Sequence, residues 1–489
     1  MAGTAKTTKT QTPNASSPGK SRKVVVIGAG PAGYVCAIRL AQLGQEVTVV
    51  EKEELGGTCL NVGCIPSKAM IAAGSLLSKI EKAKALGITA TGVKLDVEQL
   101  VAWKQGIVGK LTGGVGGLLK NHKCNVLRGS AEILNRHTVR VSGGTDGEHL
   151  LEVDDIVIAT GSVPIEIPGF ANDEKDVWSS TGALAPKKLP KHLVVIGGGY
   201  IGLELGMMYA KLGSKVTVLE GTKGALPGQE RDCVKVIERS LKGLGIELIT
   251  EALAQSFEKK RGSTKIVKVK TKDGIQEIEC DQILSTVGRK PYSGGLGIEK
   301  IGLELDKRGF LPVDKQLRTK VPNVYAIGDI AGQPMLAHKG SKEGLVAAGA
   351  IAGQPEEYDV RCVPAVIFTA PEMASVGLTE DQCKEEGREV VTGQFPFAAS
   401  GRAMSLMETE GFVKIISDAK TDEVLGVHMV GPEVTELIAE ATLAIEMGAT
   451  TEDIARTIHA HPTLPEAMME SAEAVHGMAV HIFQRPKKK

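Results

Sequence analysis

Two unbroken runs of branched aliphatic residues stand out in a chain that elsewhere mixes apolar and polar positions. Lys23–Ile27 reads KVVVI and His192–Ile196 reads HLVVI, each stopped by glycine. Runs of this length without a polar face predict strands buried inside a parallel sheet. A helical apolar period follows each run, to Leu43 in one case and to Gly213 in the other. A second apolar run then comes at 46–50 and at 215–219. Strand, helix, strand, repeated, predicts an α/β architecture. Further strands are expected at 155–158 and 324–327. Helices are expected at 68–85 and 96–120, although Gly113, Gly114, Gly116 and Gly117 favour a loop on local rules. From about Glu357 the pattern becomes α+β, with strands at 364–369, 411–416 and 424–430 and helices at 433–447 and 451–457.

The connections between these elements carry the first chemistry. Gly28-Ala29-Gly30-Pro31-Ala32-Gly33 joins the first strand to its helix, and the second strand of that unit ends on Glu51. Gly197-Gly198-Gly199-Tyr200-Ile201-Gly202 repeats the turn, and there the second strand runs into Glu220. The same interval of 23 positions separates Gly28 from Glu51 and Gly197 from Glu220. Glycines in this frame allow a tight turn and bring a pyrophosphate onto a helix N-terminus, while the acid accepts hydrogen bonds from a ribose. A lone glycine motif is weak evidence; two complete frames predict two dinucleotide sites. Glu220 would repel a 2′-phosphate, which favours NAD over NADP at the second.

Between the two frames lies Gly56-Gly57-Thr58-Cys59-Leu60-Asn61-Val62-Gly63-Cys64-Ile65-Pro66-Ser67-Lys68. Pro66 suits a first helical turn, so Cys64 is expected near a helix N-terminus, where partial positive charge favours the thiolate. Lys68 adds a cation. Such a pair can cycle between disulfide and dithiol, or the two can be ordinary buried cysteines among the eight of the chain. The spacing disfavours zinc, which needs shorter intervals and two more ligands. Near the other end stands His459-Ala460-His461-Pro462-Thr463-Leu464-Pro465-Glu466. A His-x-His pair can bind metal, but no further ligands lie at suitable spacing, and no metal is expected. A histidine held by a carboxylate is suited to taking a proton from a thiol.

Composition narrows the classes. A length of 489 residues implies two to four domains, and 42% hydrophobic residues support substantial cores. Lys+Arg and Asp+Glu balance at 58 each, so no net charge recruits nucleic acid or an anionic membrane. No uninterrupted apolar run approaches membrane-spanning length, and a soluble protein is expected. Residues 1–21 are rich in Thr, Ser, Ala, Pro and Lys and read as a disordered tail. That tail has no apolar core of a secretory signal and no amphipathic leucine pattern, so a mitochondrial presequence is disfavoured and a cytoplasmic, bacterial-type protein is expected.

GGTCLNVGCIPSK resembles the redox-active signature of the flavoprotein disulfide reductases, the class I pyridine nucleotide-disulfide oxidoreductases. Its NVGCIPSK ending is similar to the branch that oxidises protein-bound dihydrolipoyl groups. The likeness extends from about residue 22 to about 482. It implies two Rossmann-like domains, for FAD and NAD, and a C-terminal α+β dimerisation domain. Boundaries are expected at 22–164 (FAD), 165–285 (NAD), 286–358 (a central domain completing the FAD site) and 359–489 (interface). By the same resemblance Gly28, Gly30, Gly33 and Glu51 hold FAD, with Thr160 and Gly161 at the crossover. Asp329 would bind the ribityl chain beside Ala337. Gly197, Gly199, Gly202, Glu220 and the mirror turn at Gly288 would serve NAD. Lys68 would lie near the reactive flavin nitrogen, paired with Glu204. Cys59 would be the interchange sulfur, Cys64 the thiolate against the flavin, and His461 the base with Glu466 as its partner, acting across a homodimer. The family also places a helix over the 113–117 glycines. Gly340-Ser341 departs from its pattern, which carries alanine and an acid there.

The implied partners are lipoyl domains of 2-oxo acid dehydrogenase acyltransferases or the glycine cleavage lipoyl carrier. Other branches fit less well. No cysteine follows Cys383, as a mercuric or large thioredoxin reductase would require, and Glu220 stands against NADPH-linked glutathione or trypanothione reduction. Another disulfide substrate, or a docking role within a larger assembly, stays open.

Overall fold

The computed structural model describes residues 21–144 and 147–484. The expected tail at 1–21 lies outside the described residues except for Ser21. The chain forms two compact units, one from the segments up to Gly57, 114–161 and 291–358, the other from 58–113, 162–290 and 359 onward.

The first unit is built on a five-stranded parallel sheet. Its order is Val324–Ala326, Asp155–Ile158, Lys23–Ile27, Glu46–Glu51 and Asn125–Arg128. Lys23–Ile27 is buried beyond its first residue and lies at the centre, as an apolar run without a polar face requires. Helices Pro31–Gln42 and Ala337–Ile351 pack closely because small residues meet where they cross. A Cβ on Gly344 would stand 2.6 Å from the Ala32 carbonyl oxygen, and one on Gly340 3.1 Å from Ala32 Cβ. The departure at Gly340 therefore sits at a contact with little room for a side chain.

The second unit contains a parallel sheet in the order Glu247–Ile249, Lys215–Leu219, His192–Ile196, Gln282–Ser285 and Val177–Trp178. Its C-terminal part is an antiparallel sheet, Ala365–Ile367, Glu372–Gly377, Val424–Gly431, Phe412–Asp418 and Val390–Pro396. Helices Val434–Met447 and Glu466–Val475 cover it around a core that includes Val413, Val427, Met429 and Met468. Strand and helix ends here fall within a few residues of the expected ones.

The helix expected at 96–120 forms with its glycines inside it. Residues 113–117 are helical, inside Val97–Asn121, although an interior glycine costs about 1 kcal/mol relative to alanine. Buried Leu100, Val108, Val115 and Leu119 recur along one face of that helix, and their burial outweighs local propensity. Among the described residues, the helical stretch Gly57–Leu86 is long and apolar enough to cross a membrane by length and composition, with mean hydropathy 1.3 over an 18-residue window, but Lys68, Lys79, Glu81 and Lys82 interrupt it, so it is not an uninterrupted apolar run. This stretch is also broken at Gly63, and its helix Cys64–Lys82 turns Met70 and Gly74 onto helix Tyr200–Lys211, with Gly74 against Met208 and Lys211. Its apolar positions include packing positions of the second unit.

A buried lysine ties the nucleotide-binding part of this unit to its antiparallel sheet. Lys414 Nζ lies 2.9 Å from Glu230 Oε1 and 2.9 Å from Asp232 Oδ2, and also bonds Glu380. These three carboxylates are the one group among the described residues spaced to hold a metal ion, and the ammonium occupies their centre. Burial pulls the Lys414 pKa down, yet the hydrogen bonds it donates to Glu380, Asp232 and Glu230 more than offset that and leave it raised. Replacing it leaves three carboxylates facing one another without a cation. Lys414→Met should destabilise the second unit by about 3 kcal/mol, read as a lower urea midpoint; an unchanged midpoint would show that the cluster contributes nothing net.

Candidate active site

The two glycine turns share their geometry. Gly28 has φ +103°, and a Cβ on it would lie 2.4 Å from the Ala159 carbonyl oxygen. Gly197 has φ +106°, with its Cβ position 2.6 Å from the Thr286 carbonyl oxygen. Only glycine fits either place. Gly33 and Gly202 let each helix close on its own turn: a Cβ there would stand 1.9 Å from Gly28 O and 2.1 Å from Gly197 O. Gly30 and Gly199 begin the helices in extended conformation, and no side chain caps either. Helix N-termini left uncapped by side chains and lined by glycine are suited to a pyrophosphate.

The terminal acids do more than the ribose role assigned to them. Glu51 Oε2 accepts the Ala29 N–H at 2.7 Å and Oε1 that of Glu53 at 2.8 Å. Glu220 repeats this with Gly198 and Thr222, both at 2.7 Å. Each carboxylate braces the glycine turn beside it. Local sequence motifs do not reveal this second role.

The other residues expected around FAD fall at element ends in the first unit. Thr160 Oγ1 donates to Tyr292 O at 2.6 Å, and Gly161 O accepts the Tyr292 N–H at 3.0 Å. Asp329 lies in the short turn Gly328–Ile330, and Ala337 opens the helix Ala337–Ile351. Gly56 N donates to Ala29 O at 2.8 Å, so the front of the cysteine stretch is tied to the first glycine turn. In the second unit, Gly288 has φ +119°, and its carbonyl accepts the Ile165 N–H at 3.0 Å.

Cys59 lies in the short helix Gly57–Val62, and Cys64 opens the next, Cys64–Lys82. Gly63 makes the break possible, since a Cβ there would stand 2.8 Å from Thr58 O. Both sulfurs are thiols in this structure and share a hydrogen bond. That bond lowers the Cys64 pKa most, burial opposes it, Lys68 lowers it further, and it settles at about 7. Cys59, the donor, is pushed up by the same bond and by burial. The reduced pair therefore holds a thiolate on Cys64 near neutral pH.

Lys68 follows Cys64 by one helical turn. Its Nζ lies 2.8 Å from Glu204 Oε2 and 4.6 Å from the centre of the Phe368 ring. Glu204 Oε1 accepts the Phe368 N–H at 2.9 Å. Phe368 had no sequence signal of its own.

His461 is 80% exposed at its side chain, with Nδ1 2.8 Å from Glu466 Oε1; the Thr463 N–H donates to Glu466 Oε2 at 2.8 Å. Burial raises the Glu466 pKa, but those bonds from Thr463 and His461 outweigh it, and Glu466 stays well ionised. His459 is held differently, with Nε2 2.8 Å from Glu440 and Nδ1 2.8 Å from the Thr457 carbonyl oxygen. The structure thus assembles Cys59 with Cys64, with the Lys68–Glu204 pair acting on Cys64, and pairs His461 with Glu466.

Residues 22–344 match the pyridine nucleotide-disulphide oxidoreductase family, and 363–472 match its dimerisation domain. The chain belongs to that family. Among oxidoreductases of this group, the dihydrolipoyl dehydrogenase of Bacillus subtilis is 51% identical over 462 residues, 94% of this chain and 97% of that protein. The dihydrolipoyl dehydrogenase of Geobacillus stearothermophilus is 48% identical, covering 95% of this chain and 98% of its own. Of solved structures, LpdA from Mycobacterium tuberculosis superposes with a TM-score of 0.86 at 29% identity, over 92% of this chain and 99% of that one. The HOCl-induced flavoprotein disulfide reductase RclA of Escherichia coli gives 0.82 at 29% identity, over 92% and 99%.

The sulfur geometry gives a direct expectation for this oxidoreductase. Thiolate absorbance of the reduced chain should titrate near the neutral value at which Cys64 settles. Cys59→Ala and Lys68→Met should each move that titration upward, the first by removing the hydrogen-bond donor and the second the cation. A Cys64 titration unmoved by both would remove the basis for a thiolate poised by Cys59 and Lys68.

Proposed function

We propose that the chain is an NAD-dependent, FAD-containing dehydrogenase that oxidises dihydrolipoyl groups to the disulfide. The observation that carries this reading is the Cys59–Cys64 pair, with its thiolate biased onto Cys64 beside Lys68. Relatives named dihydrolipoyl dehydrogenase at about half identity over nearly the whole chain support the substrate class. Both glycine turns fit dinucleotides, because Cβ atoms would fill the cradles and no side chain caps the helices behind them. Gly28, Gly30, Gly33, Glu51, Thr160, Gly161, Asp329 and Ala337 are assigned to FAD, Gly197, Gly199, Gly202, Glu220 and Gly288 to NAD. Lys68, with Glu204, is assigned to the flavin's reactive edge. When bound, FAD and NAD supply the two-electron path from sulfur to nicotinamide.

The protein's own part begins with proton transfer. His461, oriented by Glu466, takes a proton from the substrate dithiol, leaving a thiolate and an imidazolium. That thiolate attacks Cys59 Sγ of the oxidised pair; the Cys59–Cys64 bond breaks and Cys64 leaves as thiolate. The second substrate thiol then closes on the first sulfur, forming the product disulfide, and its proton passes to Cys59, which leaves as the thiol while Cys64 remains a thiolate and His461 an imidazolium. Two electrons now reside on the cysteine pair. The dimerisation domain pairs two copies, and His461 is assigned to act on the pair of the other subunit. Lipoyl-bearing domains of 2-oxo acid dehydrogenase or glycine cleavage assemblies are the proposed partners, in the cytoplasm.

Anaerobic titration of the yellow protein with dihydrolipoamide should raise a long-wavelength thiolate–flavin band that NAD+ discharges and an equal concentration of NADP+ does not. His461→Gln should slow appearance of the band by roughly 100-fold or more while leaving the bound flavin spectrum intact. Flavin that ignores dihydrolipoamide but responds to NADH would move the substrate to another disulfide.

A further inference from the structure

Beneath Asp329 lies a buried ion pair that neither the glycine frames nor the redox signature includes. Lys339 and Glu343 are 5% and 4% exposed, one turn apart on the helix Ala337–Ile351, with Lys339 Nζ 2.8 Å from Glu343 Oε1. The ammonium also donates to the Gly332 carbonyl at 2.8 Å and the Gly328 carbonyl at 3.3 Å. The other carboxylate oxygen of Glu343 accepts the Gly328 N–H at 2.7 Å. All of these atoms lie within the first unit. Between them the two side chains hold Gly328 at both its N–H and its C=O and reach across to Gly332, so they grip both ends of the turn that carries Asp329. Gly328 has φ +76° and Gly332 φ +152°, both conformations that side chains rarely adopt.

We infer that Lys339 and Glu343 are positioning residues for the flavin site: they clamp the 328–332 turn so that Asp329 is already placed before the cofactor arrives. This rests on the assignment of Asp329 to FAD. Taking two ions out of water is costly, and such a pair is often no more stable than an apolar one of the same volume. Its specific return here is geometric. Three backbone groups of a glycine-flanked turn receive charge-assisted partners, which an apolar pair could not supply. Preorganisation of this kind reduces the entropy that binding has to offset.

The test follows flavin release from purified holoenzyme by its fluorescence, together with the thermal melt. Glu343→Gln and Lys339→Met should each speed release at least about tenfold, the scale of one charge-assisted hydrogen bond, and Lys339→Arg should recover part of the loss. The apolar double variant K339M/E343L removes the penalty of a single buried charge, so it should melt close to wild type yet still release flavin quickly. A double variant that retains flavin as wild type does would overturn the inference. Independently of any variant, amide exchange across 328–332 in the full wild-type chain should stay slow after flavin is stripped. Exchange that becomes free on stripping would make the cofactor, not the pair, the source of order. A wild-type chain that carries no flavin and takes up none would instead sink the FAD assignment itself.

Discussion

The carboxylate of Glu204 is the point on which the second unit's chemistry depends. It is buried, and both its oxygens are taken: one by the Lys68 ammonium, the other by the Phe368 N–H. Three stretches far apart in the chain meet there: the cysteine helix, the helix of the second glycine turn, and the start of the antiparallel sheet. Because Lys68 stands one turn after Cys64, fixing Lys68 fixes the rotation of that helix and the place of the sulfur at its first residue. The charges work in opposite senses on Cys64, Lys68 lowering its pKa and Glu204 raising it. A free lysine would depress the thiol further, and an unpaired carboxylate would reverse the effect. The Cys59 hydrogen bond and burial set most of the balance, and the lysine–glutamate pair trims what remains, leaving the sulfur near neutrality.

The same economy appears in the glycine turns. A strand ending in a glutamate at a fixed interval after the first glycine is needed because that carboxylate returns to bond the turn it follows, in both copies and with nearly equal distances. The interval is then a mechanical constraint. Lengthening the helix by one residue would rotate its end by about 100° and carry the strand, with its acid, away from the amide it supports.

What the sequence made legible follows from this. Glycines that must be glycine, a cysteine pair at its spacing and a histidine five residues before a glutamate are local, and each is named by the sequence alone. Phe368, Lys339 and Glu343 are not, for different reasons. Phe368 contributes through its N–H and its ring to residues more than 160 positions away, and nothing in its neighbourhood marks it. Lys339 and Glu343 look like an ordinary solvent-facing lysine–glutamate pair at helical spacing; their burial comes from the small residues that let two helices close over them. The glycines at 113–117 erred in the opposite direction, since local propensity favoured a loop where a buried apolar stripe holds a helix.

Lys68 and Lys414 show why one lysine–carboxylate contact can shift a neighbouring thiol and another only ties two parts of a fold. Lys414 is 4% exposed at its side chain and surrounded by three carboxylates, so its charge is neutralised where it stands and little field remains for any neighbour. Lys68 is 31% exposed and shares a single carboxylate, which already gives one oxygen to a backbone amide. Its residual field reaches a sulfur one turn away, and water can still reorganise around it as the charge on that sulfur changes. Full satisfaction of a buried cation spends its charge in place; partial satisfaction, at a helix N-terminus beside a thiol, leaves a field that lowers the thiol pKa.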